Sequence, residues 1–415
     1  MNRNAVVIGA GAIGMASAYF LQKSGFAVTV VDRGGVGRGC SYGNSCLIVP
    51  SHSEPIPGPG VISQGLRYLL ARTSPFYIRP RIDPGLAAWT WKFRKYCNHE
   101  AAARGFHALV GLSRESLALY EELVKNKEAD FFFERRGLLE VYLTEKGLEL
   151  GRHGRDLLES QGFPAKLLTR DEALSFEPAL SPRIRGGLFV ESEAHGFSFG
   201  YVQALARTVE ARGARVATEC EVSDLRVREG RVAGVRIGDT GEEIQADTVV
   251  LAAGSWSKDL GRTVGIDIPL QPAKGYSATV DAFEGAPAVP VLIKERRVIV
   301  TPLQNRVRFG GTLELTGFDS TIDRTRYGAV VGAAREALKS DFPMKNEEAW
   351  SGLRPVTPDG LPIIDRSRKL EGLIVAAGHA MLGFTQSPMT GKLVAELACG
   401  EKPSLPLEPF RLDRF

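Results

Sequence analysis

Three glycines spaced as G-x-G-x-x-G (Gly9, Gly11 and Gly14) follow the apolar run Ala5-Val6-Val7-Ile8 and open a helix-forming stretch. A second apolar run, Thr29-Val30-Val31, ends on Asp32, eighteen residues beyond Gly14. This order predicts a strand, a helix over Ala12–Lys23 and a second strand, a βαβ unit built to hold a pyrophosphate. Gly9 allows a tight turn, Gly11 lets the backbone approach the phosphates, and Gly14 lets the helix lie close on the strand. The phosphates would meet the free N–H groups at the helix N-terminus, and Asp32 would accept the hydroxyls of an adenosine ribose. Residues 4–22 carry no charge, as in the apolar core of a signal peptide, but the glycines are ill suited to a membrane span and Arg3 alone makes a poor positive flank. The stretch reads as the start of a cytoplasmic protein, not as an export signal.

Composition narrows the class. At 415 residues the chain is too long for one ordinary core, so two domains are expected. Fifty-two Lys and Arg against 48 Asp and Glu leave +4, too balanced for nucleic acid to be the main partner. The five cysteines, Cys40, Cys46, Cys97, Cys220 and Cys399, are scattered and show neither a disulfide framework nor metal-ligand spacing, so no metal is expected.

After Asp32 the chain enters a loop rich in glycine and small polar residues, with Arg33, Ser41, Asn44, Ser45 and Cys46, suited to bringing backbone N–H groups against a flat ligand. Prolines stiffen the next segment, 50–60, which places His52 at the mouth of whatever site the loop builds. Residues 61–100 interleave seven aromatics (Tyr68, Phe76, Tyr77, Trp89, Trp91, Phe93, Tyr96) with Arg67, Arg72, Arg79, Arg81, Lys92, Arg94 and Lys95 against two acids, Asp83 and Glu100. That pattern suits either a patch on an anionic membrane surface or partner protein, or a domain face whose aromatics turn inward.

Apolar periodicity then predicts a long helix over 101–127, strands near 131–133, 138–143 and 187–190, a helix over 145–161 and another over 199–211. A meander of short strands (221–228, Arg231–Ile237, Glu243–Gln245) leads to a buried strand stopped by Ala253 and Gly254. Strands at 274–280, 297–302 and 307–311 and a helix over 326–338 make a second sheet. The tail returns to strand, Gly378 and a helix, a second helix start aimed at the ligand. The fold class is therefore α/β: a discontinuous Rossmann-like cofactor domain over 1–60, 196–262 and 347–415. With it goes an α+β substrate domain, mainly antiparallel, over 61–195 and 263–346. A site assembled from head, middle and tail is longer than NAD requires and fits FAD.

Four stretches carry a resemblance: Lys274-Gly275-Tyr276-Ser277; residues 352–360 (G-L-R-P-V-T-P-D-G); residues 378–385 (G-H-A-M-L-G-F-T); and the proline-rich 55–60. Together they resemble the FAD-dependent amine and D-amino-acid oxidoreductases, the family of D-amino-acid oxidase, glycine oxidase and bacterial D-amino-acid dehydrogenase, and most of all the dehydrogenases of the small-subunit type. The resemblance covers nearly the whole chain. It implies that Arg354 binds the substrate carboxylate, that Tyr276 assists, that His52 lies in the substrate pocket, and that His379 lies at the pyrimidine end of the flavin. A planar guanidinium suits the first role, because it clamps a carboxylate through two parallel bonds.

The implied cofactor contacts are Gly9, Gly11, Ile13 and Gly14; Asp32 and Arg33; Ser41, Asn44, Ser45 and Cys46. Further along they are Val222; Ala253 and Gly254; and Gly378, Leu382, Gly383, Phe384 and Thr385. No cysteine falls in 378–385, so FAD is expected to be non-covalent. The implied reaction is hydride transfer from the substrate Cα to flavin N5. The substrate would be a D-amino acid or a cyclic D-imino acid such as D-proline or cis-4-hydroxy-D-proline, and the acceptor a quinone at the inner membrane face or oxygen. No residue decides either choice.

Overall fold

The computed structural model describes residues 3–68, 74–79, 81–339 and 342–415; Arg72 of the basic aromatic stretch lies outside them. The first sheet has six strands in the order Arg215–Ala217, Phe26–Val31, Arg3–Ile8, Thr248–Leu251, Leu373–Ala377 and Ile363–Arg366. All neighbours run parallel except the last pair. Its strands are apolar on both faces because both are covered. Ala5 and Val7 pack under the helices Ala12–Lys23 and Gly383–Cys399, while Val6 and Ile8 pack against the meander Val222–Arg228, Arg231–Ile237 and Glu243–Gln245. The strand order reverses beside Arg3–Ile8, where ligands of such sheets lie beyond the carboxyl ends. The two helices pack together closely enough that a Cβ on Gly391 would lie 2.5 Å from the Ala16 backbone, and each follows a parallel strand, so both N-termini lie at the carboxyl ends of the sheet.

The second sheet has nine strands. Along its main path they run Glu348–Val356, Gln271–Asp281, Arg306–Leu315, Val298–Leu303, Val291–Ile293, Leu138–Tyr142, Gly186–Val190 and Ala165–Thr169, with Phe76–Ile78 beside Arg306–Leu315. It is mainly antiparallel, with two parallel pairs. Alternation gives it two different faces. Tyr276, Ala278, Val300 and Phe309 point to one face and pack under the helix Arg324–Ala337; the other face looks toward the first sheet. One boundary differs from expectation. The segment 347–415 begins with Glu348–Val356, which is the edge strand of this second sheet and not part of the first. A third, small sheet (Leu47–Ile48, Ala194–Gly196, Phe133–Glu134) ties the two bodies together.

Candidate active site

At the head of the cleft each glycine has its own reason. Gly9 has φ +108° and a Cβ there would lie 2.4 Å from the Ala252 carbonyl oxygen; a Cβ on Gly14 would lie 1.8 Å from the Gly9 oxygen, so the helix rests directly on the turn. A Cβ on Gly11 would meet nothing nearer than Ser41 Oγ at 3.4 Å, which leaves that side of the turn open to a ligand. No side chain of its own caps the helix Ala12–Lys23; the Ala12 N–H donates to Ser41 Oγ (2.9 Å). The Asp32 carboxylate accepts from the Ala10 and Gly34 N–H groups (2.7 and 2.8 Å), which fixes the end of the second strand to the glycine turn. Ile13 packs half-buried on the core.

The other residues expected at the cofactor have these surroundings. Arg33 stacks over the Trp256 ring (3.9 Å) and approaches Glu221, next to buried Val222 at the start of the meander. Ala253 and Gly254 (φ +55°) end the strand Thr248–Leu251, and Ser255 Oγ donates to the Leu353 carbonyl. At the tail Gly378 takes φ +89°, and Leu382 caps the helix Gly383–Cys399 with no side-chain bond. Buried Phe384 receives the Tyr120 hydroxyl on its carbonyl (2.6 Å), and Thr385 Oγ1 donates to Leu47 O. Asn44 Oδ1 accepts from the Cys46 N–H (2.8 Å) and holds Cys46 at φ +64°. Two uncapped helix starts and a glycine turn open on one side fit the pyrophosphate of FAD.

Arg354 lies on the face of the second sheet that looks toward this cleft, opposite Ala273 in the ladder. Its guanidinium lies over Gly275: a Cβ there would be 2.0 Å from Nη1. Nη1 donates to the Thr312 carbonyl (2.7 Å), and among the described residues no acid lies within ion-pair distance. Burial lowers its pKa. The Cys40 thiol, pushed up to about 11 by burial, sits beside it and stays neutral. A half-buried guanidinium without an acid of its own has the chemistry to receive a carboxylate. Gly275 and Cys40 were missed in the sequence. The glycine next to Tyr276 was the available signal, and its role is to make room for the arginine.

Two expected residues are corrected here. Tyr276 points to the opposite face of the sheet from Arg354, because neighbours along a strand alternate and Gly275 is the residue under the guanidinium. Its hydroxyl donates to Glu314 Oε2 (2.6 Å) in a buried group with Lys274. His52 is likewise not brought to Arg354. Its Nε2 meets Glu140 Oε1 at 2.6 Å and its Nδ1 meets Ser51 Oγ at 2.8 Å. Glu140 belongs to Leu138–Tyr142, with four strands between it and the strand of Arg354, about 24 Å across the sheet at about 4.8 Å per strand. Burial alone would raise the Glu140 carboxyl, but Lys294 and His52 beside it hold it well below the usual carboxylate range.

His379 does lie in the tail loop, with Nε2 3.0 Å from Thr390 Oγ1, but burial lowers its pKa to about 3. It therefore supplies no positive charge near neutrality. His195, fully buried, is lowered to about 4, again chiefly by burial. Both are neutral in the fold and basic when unfolded, so the unfolded chain binds more protons below pH 6.5. Stability is full above that value and falls as pH drops through it, by roughly 2 kcal/mol for each histidine at pH 5. Denaturant melts at pH 7 and pH 5 should show the loss, and His379→Gln should remove about half of it.

In the basic aromatic stretch Trp89, Phe76 and Phe93 turn inward, Trp89 Nε1 donating to the Val356 carbonyl. Trp91 is 62% exposed under the Arg94 guanidinium, and Ile82 is fully exposed. Among the described residues no helix is long and apolar enough to cross a membrane.

Residues 4–397 match the family described as FAD dependent oxidoreductase. D-amino acid dehydrogenases of Methylobacterium nodulans and Bradyrhizobium diazoefficiens are each 32% identical over 99% of this chain and 98% of their own length. Among solved structures, a glycine oxidase from Bacillus cereus ATCC 14579 superposes with TM-score 0.79 at 23% identity, covering 100% of this chain and 99% of its own. An L-proline dehydrogenase from P. horikoshii gives 0.73 at 21% identity, covering 100% and 98%. These two likenesses extend to the fold.

Proposed function

This chain belongs to the family of FAD-dependent oxidoreductases, and from that membership we propose that it dehydrogenates D-amino acids, cyclic D-imino acids such as D-proline and cis-4-hydroxy-D-proline included. The observation that carries this reading is Arg354, a guanidinium in the cleft with no acid of its own, held by Thr312 O and given room by Gly275. The full-length relatives named D-amino acid dehydrogenase support the choice of substrate class. FAD, bound non-covalently between the glycine turn and the two helix starts, supplies the two-electron acceptor.

What the protein contributes is position. Arg354 grips the carboxylate in two parallel bonds and fixes the Cα, so that the Cα–H is presented to the cofactor with the amine neutral. Loss of the Cα hydride to the cofactor, with the nitrogen lone pair closing the C=N bond, would leave an iminium that gives up a proton to water and is hydrolysed to a keto acid and ammonia; a cyclic substrate would leave a ring imine. Neutral Cys40 places no competing charge beside the clamp. Turnover of a D- and L-amino acid panel with an artificial electron acceptor tests the reading. D-isomers should reduce the acceptor with little peroxide. Stoichiometric peroxide would favour an oxidase of the glycine oxidase kind, and bound flavin without turnover a flavin-binding subunit that is not catalytic.

The acceptor is proposed to be a quinone or electron-transfer partner met at an anionic membrane surface through exposed Trp91 and Ile82 with Arg94 and Lys95 around them. Co-sedimentation with vesicles containing phosphatidylglycerol should carry the protein down at low salt and not at high salt. Trp91→Ser should weaken it severalfold; no sedimentation at low salt would remove the surface from the account.

A further inference from the structure

Arg308 is a buried cation for which the reaction above has no use. It is 3% exposed, on the cleft-facing side of the strand Arg306–Leu315. Its Nε donates to Thr279 Oγ1 (2.9 Å), and its Nη1 to the carbonyls of Tyr42 (2.9 Å) and Asn44 (2.8 Å), with Cys46 Sγ at 3.3 Å. The Thr279 hydroxyl and the two carbonyls carry no charge. No acid among the described residues lies within ion-pair distance of it; Glu348, which faces Thr279 across the ladder, lies 3.8 Å from Arg306 and holds the Tyr42 hydroxyl. A buried charge without a counter-charge is costly, which points to negative charge arriving with something the fold is built to hold.

The segment above Arg308 shows where that charge would be. Its carbonyls face down: Tyr42 and Asn44 toward Arg308, Ser45 toward the Thr301 hydroxyl (2.7 Å). The N–H groups of Gly43, Asn44 and Ser45 have no acceptor among the described residues. The segment begins at Ser41, on the helix start that would hold the pyrophosphate, and crosses the sheet face over Ser277 and Gly310, where Cβ positions on Gly43 and Gly310 would collide with Ser277 Oγ and Ser45 Oγ. Because C=O and the following N–H point opposite ways in a trans peptide, the N–H groups of Gly43 and Ser45 point away from Arg308, two donors over a cation in a positively polarised cradle.

We propose that Arg308 is a positioning and electrostatic residue of the cofactor site: it pins the carbonyls of Tyr42 and Asn44 so that the N–H groups of Gly43 and Ser45 face FAD, and its uncompensated charge favours the reduced cofactor. FAD gains negative charge on reduction, and a nearby cation stabilises that form, as it stabilises an ionised acid. This rests on the reading that segment 41–46 lies against FAD.

The test is the midpoint potential of the FAD-loaded protein, titrated anaerobically against a reference dye. Thr279→Asp places a carboxylate where Nε already donates and supplies the missing counter-charge without moving the guanidinium. It is expected to keep FAD and to lower the potential by about 30 mV or more, a tenfold shift between oxidised and reduced forms of a two-electron couple. Arg308→Met should lower it likewise, and Arg308→Lys, which keeps the charge, should stay at the wild-type value. A wild-type potential in FAD-bound Thr279→Asp overturns the proposal, whatever Arg308→Met does. A fall in Arg308→Lys equal to that in Arg308→Met also overturns it, because the effect would then belong to the lost hydrogen bonds. Failure of the cofactor site itself would show separately, as FAD retained by Gly11→Val.

Discussion

Replacing Arg354 by alanine is expected to raise KM for a D-amino acid by about a hundredfold or more while the protein keeps its flavin colour. A charge-assisted hydrogen bond contributes roughly 1.5–3 kcal/mol, and two lost together exceed a factor of a hundred. Arg354→Lys should recover little, since an ammonium cannot make the paired contact. The structure adds a second way to remove the clamp without touching it. Gly275→Ala places a methyl where Nη1 now lies, 2.0 Å from the ideal Cβ, and must displace the guanidinium. It should reproduce much of the KM increase. Steady-state kinetics on these three variants decide the point; an unchanged KM in Arg354→Ala would remove the residue from the site.

Gly11→Val is expected to give folded but colourless protein. The direction a side chain would take at Gly11 meets no protein atom closer than 3.4 Å, so the fold tolerates it and the loss falls on whatever occupies that space. Gly14→Ala makes the contrast, because its methyl would lie 1.8 Å from the Gly9 oxygen and must push the helix off the turn. That variant should melt at lower temperature, by a margin on the order of 1–3 kcal/mol as for other overpacked positions. The ratio of flavin to protein absorbance and a thermal melt separate the two effects. Flavin retained by Gly11→Val would show that the turn is not the cofactor site.

The glycine turn was legible because its constraints are local: Gly9 needs its positive φ and Gly14 its contact within one βαβ unit. The meander, the buried strand Thr248–Leu251 and the tail helix were legible by the same local patterns. Arg354 could be singled out from its motif, but its surroundings could not. Cys40 and Thr312 reach it from remote parts of the chain, and a register fixed by pairing decides which face each neighbour takes. That is why Tyr276, next to that glycine and expected to assist Arg354, lies on the other face of the sheet. His52 is bound to Glu140, 88 residues away, and no periodicity announces such a pair. The neutrality of His379 comes from burial, a property of the folded chain. Arg308 gave no sequence signal at all, since apart from Thr279 its partners lie more than 260 residues away in the loop 42–46.

The central claim is that a D-amino acid, held by Arg354, gives its electrons to bound FAD. Anaerobic absorbance titration of the purified, flavin-loaded protein tests it most directly, with D- and L-proline, cis-4-hydroxy-D-proline and D-alanine added in turn. The account predicts that D-isomers bleach the flavin band near about 450 nm, that L-isomers do not, and that Arg354→Ala needs far higher concentrations for the same loss. A flavin spectrum that dithionite bleaches but no D-amino acid changes would contradict it.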